Sequence, residues 1–117
     1  AAFLSKVTTG DATSINATDA LSMATINGAR LMGLADEIGS LAPGKSADII
    51  AVDFSDIAFQ PMHNPLSQLI YAASGHQVSH TWIAGQCLYK DGKHTKLDIG
   101  NLSTRVESWR QKIQGKL

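Results

Sequence analysis

Four histidines, His63, His76, His80 and His94, and a single cysteine, Cys87, are the residues of this 117-residue sequence best suited to bind a metal or act as a nucleophile. A hydrolytic zinc site needs several histidines or carboxylates converging around one open coordination position. His76 and His80 make the best pair, because four-residue spacing brings two side chains together on a helix. The surrounding residues point elsewhere: Val78 to Ala84 reads as a strand, on which that spacing spreads the rings too far to chelate one ion easily. Cys87 lies on an apparent strand beside Leu88 and reads as a buried bystander, since a nucleophilic thiol needs an activating base near it. Asp48 and Asp53 bracket the apolar run Ile49 to Val52. Two carboxylates could serve a metal, but turn hydrogen bonding and strand termination are the preferred roles for short polar residues so placed. No serine sits in a nucleophile-elbow pattern, and Gly33, Gly39 and Gly44 lack the spacing of a phosphate loop. The residues alone identify no catalytic, cofactor-binding or metal-binding set.

The elements that would position such residues are easier to read. The chain opens on Ala1-Ala2-Phe3-Leu4-Ser5-Lys6-Val7, apolar-rich and without a start signal, which reads as the end of a helix. Asn16 and Asp19 have the spacing of a capping box, and the apolar positions Leu21, Ala24, Gly28, Leu31 and Met32 predict a helix over 17–32 that stops at Gly33. Pro43-Gly44 predicts a type II turn, because proline presets the second position and glycine tolerates the positive φ of the third. Ile49 to Val52 is apolar on both faces and predicts a strand buried on both sides. Residues 56–63 read as loop, with Pro61 arguing against a central strand. Asn64-Pro65 is a strong helix start, for a helix closed by Gly75. Val78 to Ala84 then returns through a Gly85-Gln86 hairpin loop into Cys87-Leu88-Tyr89, which Asp91-Gly92 ends. Asp98 caps a last helix running to about Gln114. Its stripe, Leu102, Val106, Trp109 and Ile113, predicts docking on the protein's own body.

Composition bounds the partners. With 44% hydrophobic residues the chain can supply a core and falls in the globular class, with one domain at most. Ten basic residues balance ten acidic ones, so neither nucleic acid nor an anionic membrane surface is expected as a partner. No apolar run approaches the roughly 20 residues of a membrane helix. The segment after Lys6 is too polar for a signal peptide. A lone cysteine cannot form an intrachain disulfide, and a cytoplasmic location fits best. The absence of an initiator methionine, with the helix-end start, suggests a truncated chain.

Several of these pieces together resemble a known family. Ala24-Thr25-Ile26-Asn27-Gly28-Ala29-Arg30, then Ile38-Gly39-Ser40-Leu41, Pro43-Gly44-Lys45 and Ala47-Asp48-Ile49-Ile50, are similar to the C-terminal part of the metal-dependent amidohydrolases. Asn64 to Gly75, followed by Val78 and Trp82-Ile83-Ala84-Gly85, is similar to the branch holding triazine chlorohydrolases and the deaminases of methylthioadenosine and S-adenosylhomocysteine. The resemblance implies an α+β piece of a larger enzyme. Residues 1–34 would be the last helical part of a truncated (β/α)₈ barrel, 35–97 part of a composite β-sandwich with an inserted helix at 64–74, and 98–117 a C-terminal helix. It also implies a zinc or iron centre in the parent enzyme, held by a His-x-His pair, two later histidines and an aspartate, none of which falls in this sequence. The parent would act on C–N or C–Cl bonds of a small N-heterocyclic substrate, and this piece alone would be inactive.

Two other readings stand beside this one. The chain could be a non-catalytic structural or interaction module, or a free-standing metal enzyme using His76 and His80. Under the family reading, strands from the N-terminal segment would be missing. Ile49 to Val52 should then lack neighbours and present apolar surface or unpaired edges, and the isolated chain should self-associate or order only beside the remainder of its parent.

Overall fold

Local capping chemistry sets where the helices begin. In the computed structural model, which describes residues 1–115, α1 covers Ala2–Thr9 and ends at Gly10, whose φ of 67° is left-handed. Helix α2, Ala17–Ala24, opens on the expected capping box: the Asp19 amide donates to Asn16 Oδ1 at 3.1 Å, and the Asn16 amide to Asp19 Oδ2 at 3.2 Å. The helix expected over 17–32 is broken. Thr25 leaves helical geometry, with φ −126° and ψ −101°, its hydroxyl donates back to the Leu21 carbonyl at 2.7 Å, and a separate α3 spans Ile26–Leu31. Back-bonding of this kind competes with the helix ladder, and Thr is among the residues that do it readily.

The break lies where the next segment comes in. Gly39, at φ 83°, packs so closely on it that a Cβ there would stand 2.7 Å from Ala29 Cβ, 3.0 Å from Ile26 Cα and 3.1 Å from the Thr25 carbonyl oxygen. The expected type II turn follows, with Gly44 at φ 89° and the Lys45 amide donating to the Ala42 carbonyl at 3.2 Å.

Four strands form one antiparallel sheet in the order β1-β2-β3-β4: Ile49–Val52, Val78–Ile83, Gln86–Lys90 and Lys93–His94. Strand β1 is therefore an edge, paired only with β2 among the described residues, and Ile50 is 56% exposed. Burial on both sides was expected from its unbroken apolar run. The sheet shows an edge strand with an exposed apolar residue at that position. The β2–β3 turn is Ala84-Gly85, one residue earlier than expected, with φ values of 48° and 76° as a two-residue primed turn requires. A second such turn, Asp91-Gly92 at 46° and 82°, does more than end β3: it leads into β4.

Between β1 and β2 the chain makes a 3₁₀ turn at Ile57–Phe59, within the span expected to be loop, and buries Phe59 edge-on against Phe54. Helix α4, Pro65–Tyr71, starts as expected, with Asn64 Oδ1 accepting from the Ser67 amide at 3.0 Å. It stops short of the expected 74. Ser74 instead caps a 3₁₀ turn, Gly75–Gln77, through a reciprocal hydrogen bond with Gln77, so its side chain outcompetes continuation of the helix. Helix α5 spans Ile99–Gln114, with Asp98 Oδ1 accepting from the Asn101 amide. The last two residues of the expected 98–117 segment lie outside the described residues. Among the described residues the expected docking of α5 on the body is not seen, since Leu102, Val106, Trp109 and Ile113 are 46–62% exposed.

The core is correspondingly thin. Ala2, Ala17, Ala29 and Phe59 are the buried apolar side chains among the described residues. The radius of gyration, 19.0 Å, exceeds the roughly 13 Å that a compact domain of this length would have.

Gly39 and Gly44 share the left-handed conformation but differ in surroundings, since a Cβ at Gly44 meets nothing within 4 Å. Gly44→Ala should cost only the conformational term, about 1–2 kcal/mol. Gly39→Ala adds overpacking, for a total of about 2–5 kcal/mol. Urea unfolding of the two variants should therefore show a clearly lower midpoint for Gly39→Ala, and equal midpoints would overturn the close approach.

Candidate functional site

The carboxylates at the two ends of β1 are both taken up by backbone. Asp48 Oδ1 accepts from the Ala84 amide at 2.7 Å, and the preceding carbonyl, Ala47, accepts from the Gly85 amide at 3.0 Å. Together they hold both amides of the β2–β3 turn. Asp53 Oδ1 accepts from the Ser55 amide at 2.8 Å, while the Asp53 amide donates to the Gln77 carbonyl. Hydrogen bonding from Ser55, backbone first, holds the Asp53 carboxyl below the usual aspartate range. These are the turn and strand-end roles expected of both residues.

The histidines do not come together as a site. His80 stacks on Trp82, with ring centroids 5.2 Å apart and planes 7° from parallel. Its Nδ1 lies 3.2 Å from Ser79 Oγ, and the Ser79 hydroxyl donates to the Ala51 carbonyl at 3.2 Å. His76 sits in the exposed 3₁₀ turn and lines a polar hollow of about 410 Å³ with Asp53, Ser55, Asp56 and Asp91. His80 is not part of that lining. The Asp56 carboxylate caps its own 3₁₀ turn by accepting from the Ala58 amide. His94 meets Tyr89 edge-on at 5.4 Å on β4, and His63 is exposed in the loop before α4. Cys87 is half-buried, its thiol donating to the Tyr89 carbonyl at 3.3 Å. Among the described residues no three His, Cys, Asp or Glu side chains are grouped to hold a metal ion.

The prominent surface feature is instead apolar. Ile50, Thr81, Tyr89 and His94 are successive cross-strand partners and so share one face of the sheet. On that face Val78, Thr81, Ile83, Leu88, Tyr89 and Leu97 line an open hollow of about 700 Å³. Sequence reading missed it. The missing signal was β4, and Asp91-Gly92 between two β-prone runs was the cue for it. No helix of the described residues is long and apolar enough to cross a membrane.

The family model for the amidohydrolases matches residues 1–88. A 5-methylthioadenosine/S-adenosylhomocysteine deaminase from Teredinibacter turnerae is 47% identical over 99% of this chain, and one from Saccharophagus degradans is 38% identical over 97%. The chain spans 26% of the length of each. Among solved structures, a zinc-bound adenosine deaminase from Xanthomonas campestris superposes with a TM-score of 0.89 at 42% identity, covering 97% of this chain and 26% of that one. A zinc complex of atrazine chlorohydrolase from Arthrobacter aurescens reaches 0.72 at 24% identity, over 81% of this chain and 21% of the other, a likeness of fold.

Asp48 is the testable residue of this region. Asp48→Ala should lower stability by about 1–2 kcal/mol and speed hydrogen exchange at the Ala84 amide ahead of amides in α2. Unchanged exchange at Ala84 would show that the Ala47 carbonyl alone holds the turn.

Proposed function

Because this chain belongs to the amidohydrolase family, we propose that it is part of a zinc-dependent deaminase acting on an adenine-type ring, as found in 5-methylthioadenosine and S-adenosylhomocysteine. The near end-to-end overlap with the Teredinibacter deaminase carries this reading. The reaction is hydrolytic: water forms a new C–O bond at the ring carbon that bears the amino group, the C–N bond breaks, and ammonia leaves with no change of oxidation state. A chlorohydrolase on the same fold would break a C–Cl bond instead. The deaminase reading is preferred because relatives at 38–47% identity bear that name, whereas the chlorohydrolase likeness is one of fold.

The residues present do not fit a zinc ion. The Asp48 and Asp53 carboxylates accept backbone amides, His80 is stacked and hydrogen-bonded, and no third ligand joins His76 and His80. Zinc and substrate therefore belong, in this reading, to parts of the enzyme outside residues 1–117. We assign residues 1–34 to the last helical part of its barrel, 35–97 to a composite β-sandwich, and 98–117 to a C-terminal helix, in a cytoplasmic enzyme. The open apolar sheet face and the unpaired β1 edge support the sandwich assignment, because both call for further strands.

Two outcomes follow. The longer enzyme, purified with its zinc, should release ammonia from 5-methylthioadenosine or S-adenosylhomocysteine, and the 117-residue chain should release none. Failure of the longer enzyme on both substrates, with ammonia released from an unrelated amine, would sink the reading. Separately, the 117-residue chain in isolation should self-associate through the open sheet face. Sedimentation showing a stable monomer at high concentration would overturn that.

A further inference from the structure

The sequence holds a single Asn-Gly step, Asn27-Gly28, and it lies inside α3. The other asparagines, Asn16, Asn64 and Asn101, are followed by Ala17, Pro65 and Leu102. Glycine after asparagine matters chemically, because with no Cβ beside it the glycine nitrogen can approach the asparagine's own Cγ unhindered. The Asn27 side chain is exposed, so water reaches it. What holds it unreactive is conformation. A helical ψ, about −42°, keeps the following nitrogen away from Cγ, and the Ala29 amide closes the turn around Asn27 by donating to the Thr25 carbonyl at 3.0 Å. Arg30 Nη1 also donates to Asn27 Oδ1 at 2.9 Å, which ties the side chain to the next turn. These restraints are weak by themselves. Helix α3 has six residues, well below the length at which a helix persists alone. Thr25 breaks it from α2, so its order rests on packing: Ala29 is 1% exposed, and the Gly39 backbone lies against Ile26, Ala29 and the Thr25 carbonyl. Opening that contact frees the ψ of Asn27.

We propose that Asn27-Gly28 is a latent self-modification site, closed while Gly39 is docked on α3 and reactive when that contact opens. In the open form the Gly28 nitrogen gives its proton to hydroxide and attacks Asn27 Cγ. A new C–N bond closes a succinimide ring, the Cγ–Nδ2 bond breaks, and the side-chain amide takes a proton from water and leaves as ammonia. Water then adds to one of the two imide carbonyls and breaks its C–N bond, giving aspartate or isoaspartate with no change of oxidation state. Each product has its own consequence. Isoaspartate adds a methylene to the main chain, so α3 cannot reform its ladder beneath Gly39. Aspartate keeps the backbone and offers Arg30 a carboxylate in place of an amide oxygen. Because the rate follows the population of the open form, the modification is an irreversible record of how often this contact has opened. It goes beyond the deaminase reading and does not depend on it.

The test is peptide mapping by mass spectrometry of the longer, zinc-loaded enzyme held in mildly alkaline buffer, with aspartate and isoaspartate at residue 27 as the readout. Modification of Asn27 should be about tenfold or more slower in the folded enzyme than in urea, and in urea it should outpace Asn16, Asn64 and Asn101. In the folded enzyme Gly39→Ala should speed it several-fold, whereas Gly44→Ala, whose Cβ meets open space, should raise it less. Equal rates in folded and unfolded protein overturn the closed state. Equal rates in the two glycine variants overturn the role of the Gly39 contact, and an Asn27 no faster than the other asparagines in urea overturns the site itself. If Gly39→Ala fails to fold, Arg30→Met takes its place: loss of the guanidinium should speed modification in the folded enzyme and leave the rate in urea unchanged. An unchanged folded rate in that variant overturns the proposal.

Discussion

Everything in this molecule depends on one joint, the stretch from Gly39 to Asp48, which fastens a group of helices to a sheet almost entirely through backbone. At its helical end, Gly39 lies against Ala29, Ile26 and the Thr25 carbonyl at distances that leave no room for a side chain. In its middle, the Lys45 ammonium donates to the Ala35 and Ile38 carbonyls, and the Ser46 amide to the Glu37 carbonyl, closing the segment on itself. At its sheet end, the Ala47 carbonyl and the Asp48 carboxylate take the two amides of the Ala84-Gly85 turn. Hydrogen bonds to backbone fix geometry without adding apolar area. That suits a connection between layers that have little core of their own.

The thin core explains the rest of the architecture. A sheet of four short strands with one open apolar face, and a helix whose stripe is unpaired, cannot offset the conformational entropy of ordering so many residues through local burial alone. The aromatic contacts are few: Phe3 and Lys6 of α1 reach across the chain to the Tyr71 ring of α4, and Phe54 meets Phe59 locally. Wherever the chain is well specified, short-range chemistry does it, as in the two capping boxes and the two primed hairpin turns. Wherever long-range packing would be needed, apolar side chains face outward.

This division also governs how much could be read from the sequence. Asn16 with Asp19, Asn64 with Pro65, Pro43 with Gly44, and Asp98 were legible because each acts on amides within three residues of itself. The break at Thr25 was not: its hydroxyl bonds back to the Leu21 carbonyl, and Gly39, fourteen residues away, packs against it. The end of α4 was misread because Gly75 looked like a stop, while Ser74 had a competing cap through Gln77. Strand β1 carries the apolar run of a strand covered on both faces, yet its pairing partners within these residues leave it an edge. A hydrophobic pattern states how much burial a segment needs, not where the burying surface lies. The same holds for α5, whose stripe was expected to dock on the body and stays exposed among the described residues.

The functional lesson turns on the same distinction. Residue types that could do chemistry were scattered through the sequence, and the structure leaves them scattered: the histidines occupy a loop, a 3₁₀ turn and two different strands, and the aspartates that looked paired each serve a neighbouring backbone. The family resemblance ran through the joint, together with Ala24 to Arg30 and Asn64 to Gly75, and the joint's residues are constrained by close approach, positive φ and amide capture. A catalytic group can be recognised only together with partners brought from distant parts of a chain. Turn and close-approach residues such as Gly39, Pro43 and Gly44 are legible one at a time. Hence the segment most legible as belonging to the family is one whose close approach, turn and amide capture fasten helices to sheet.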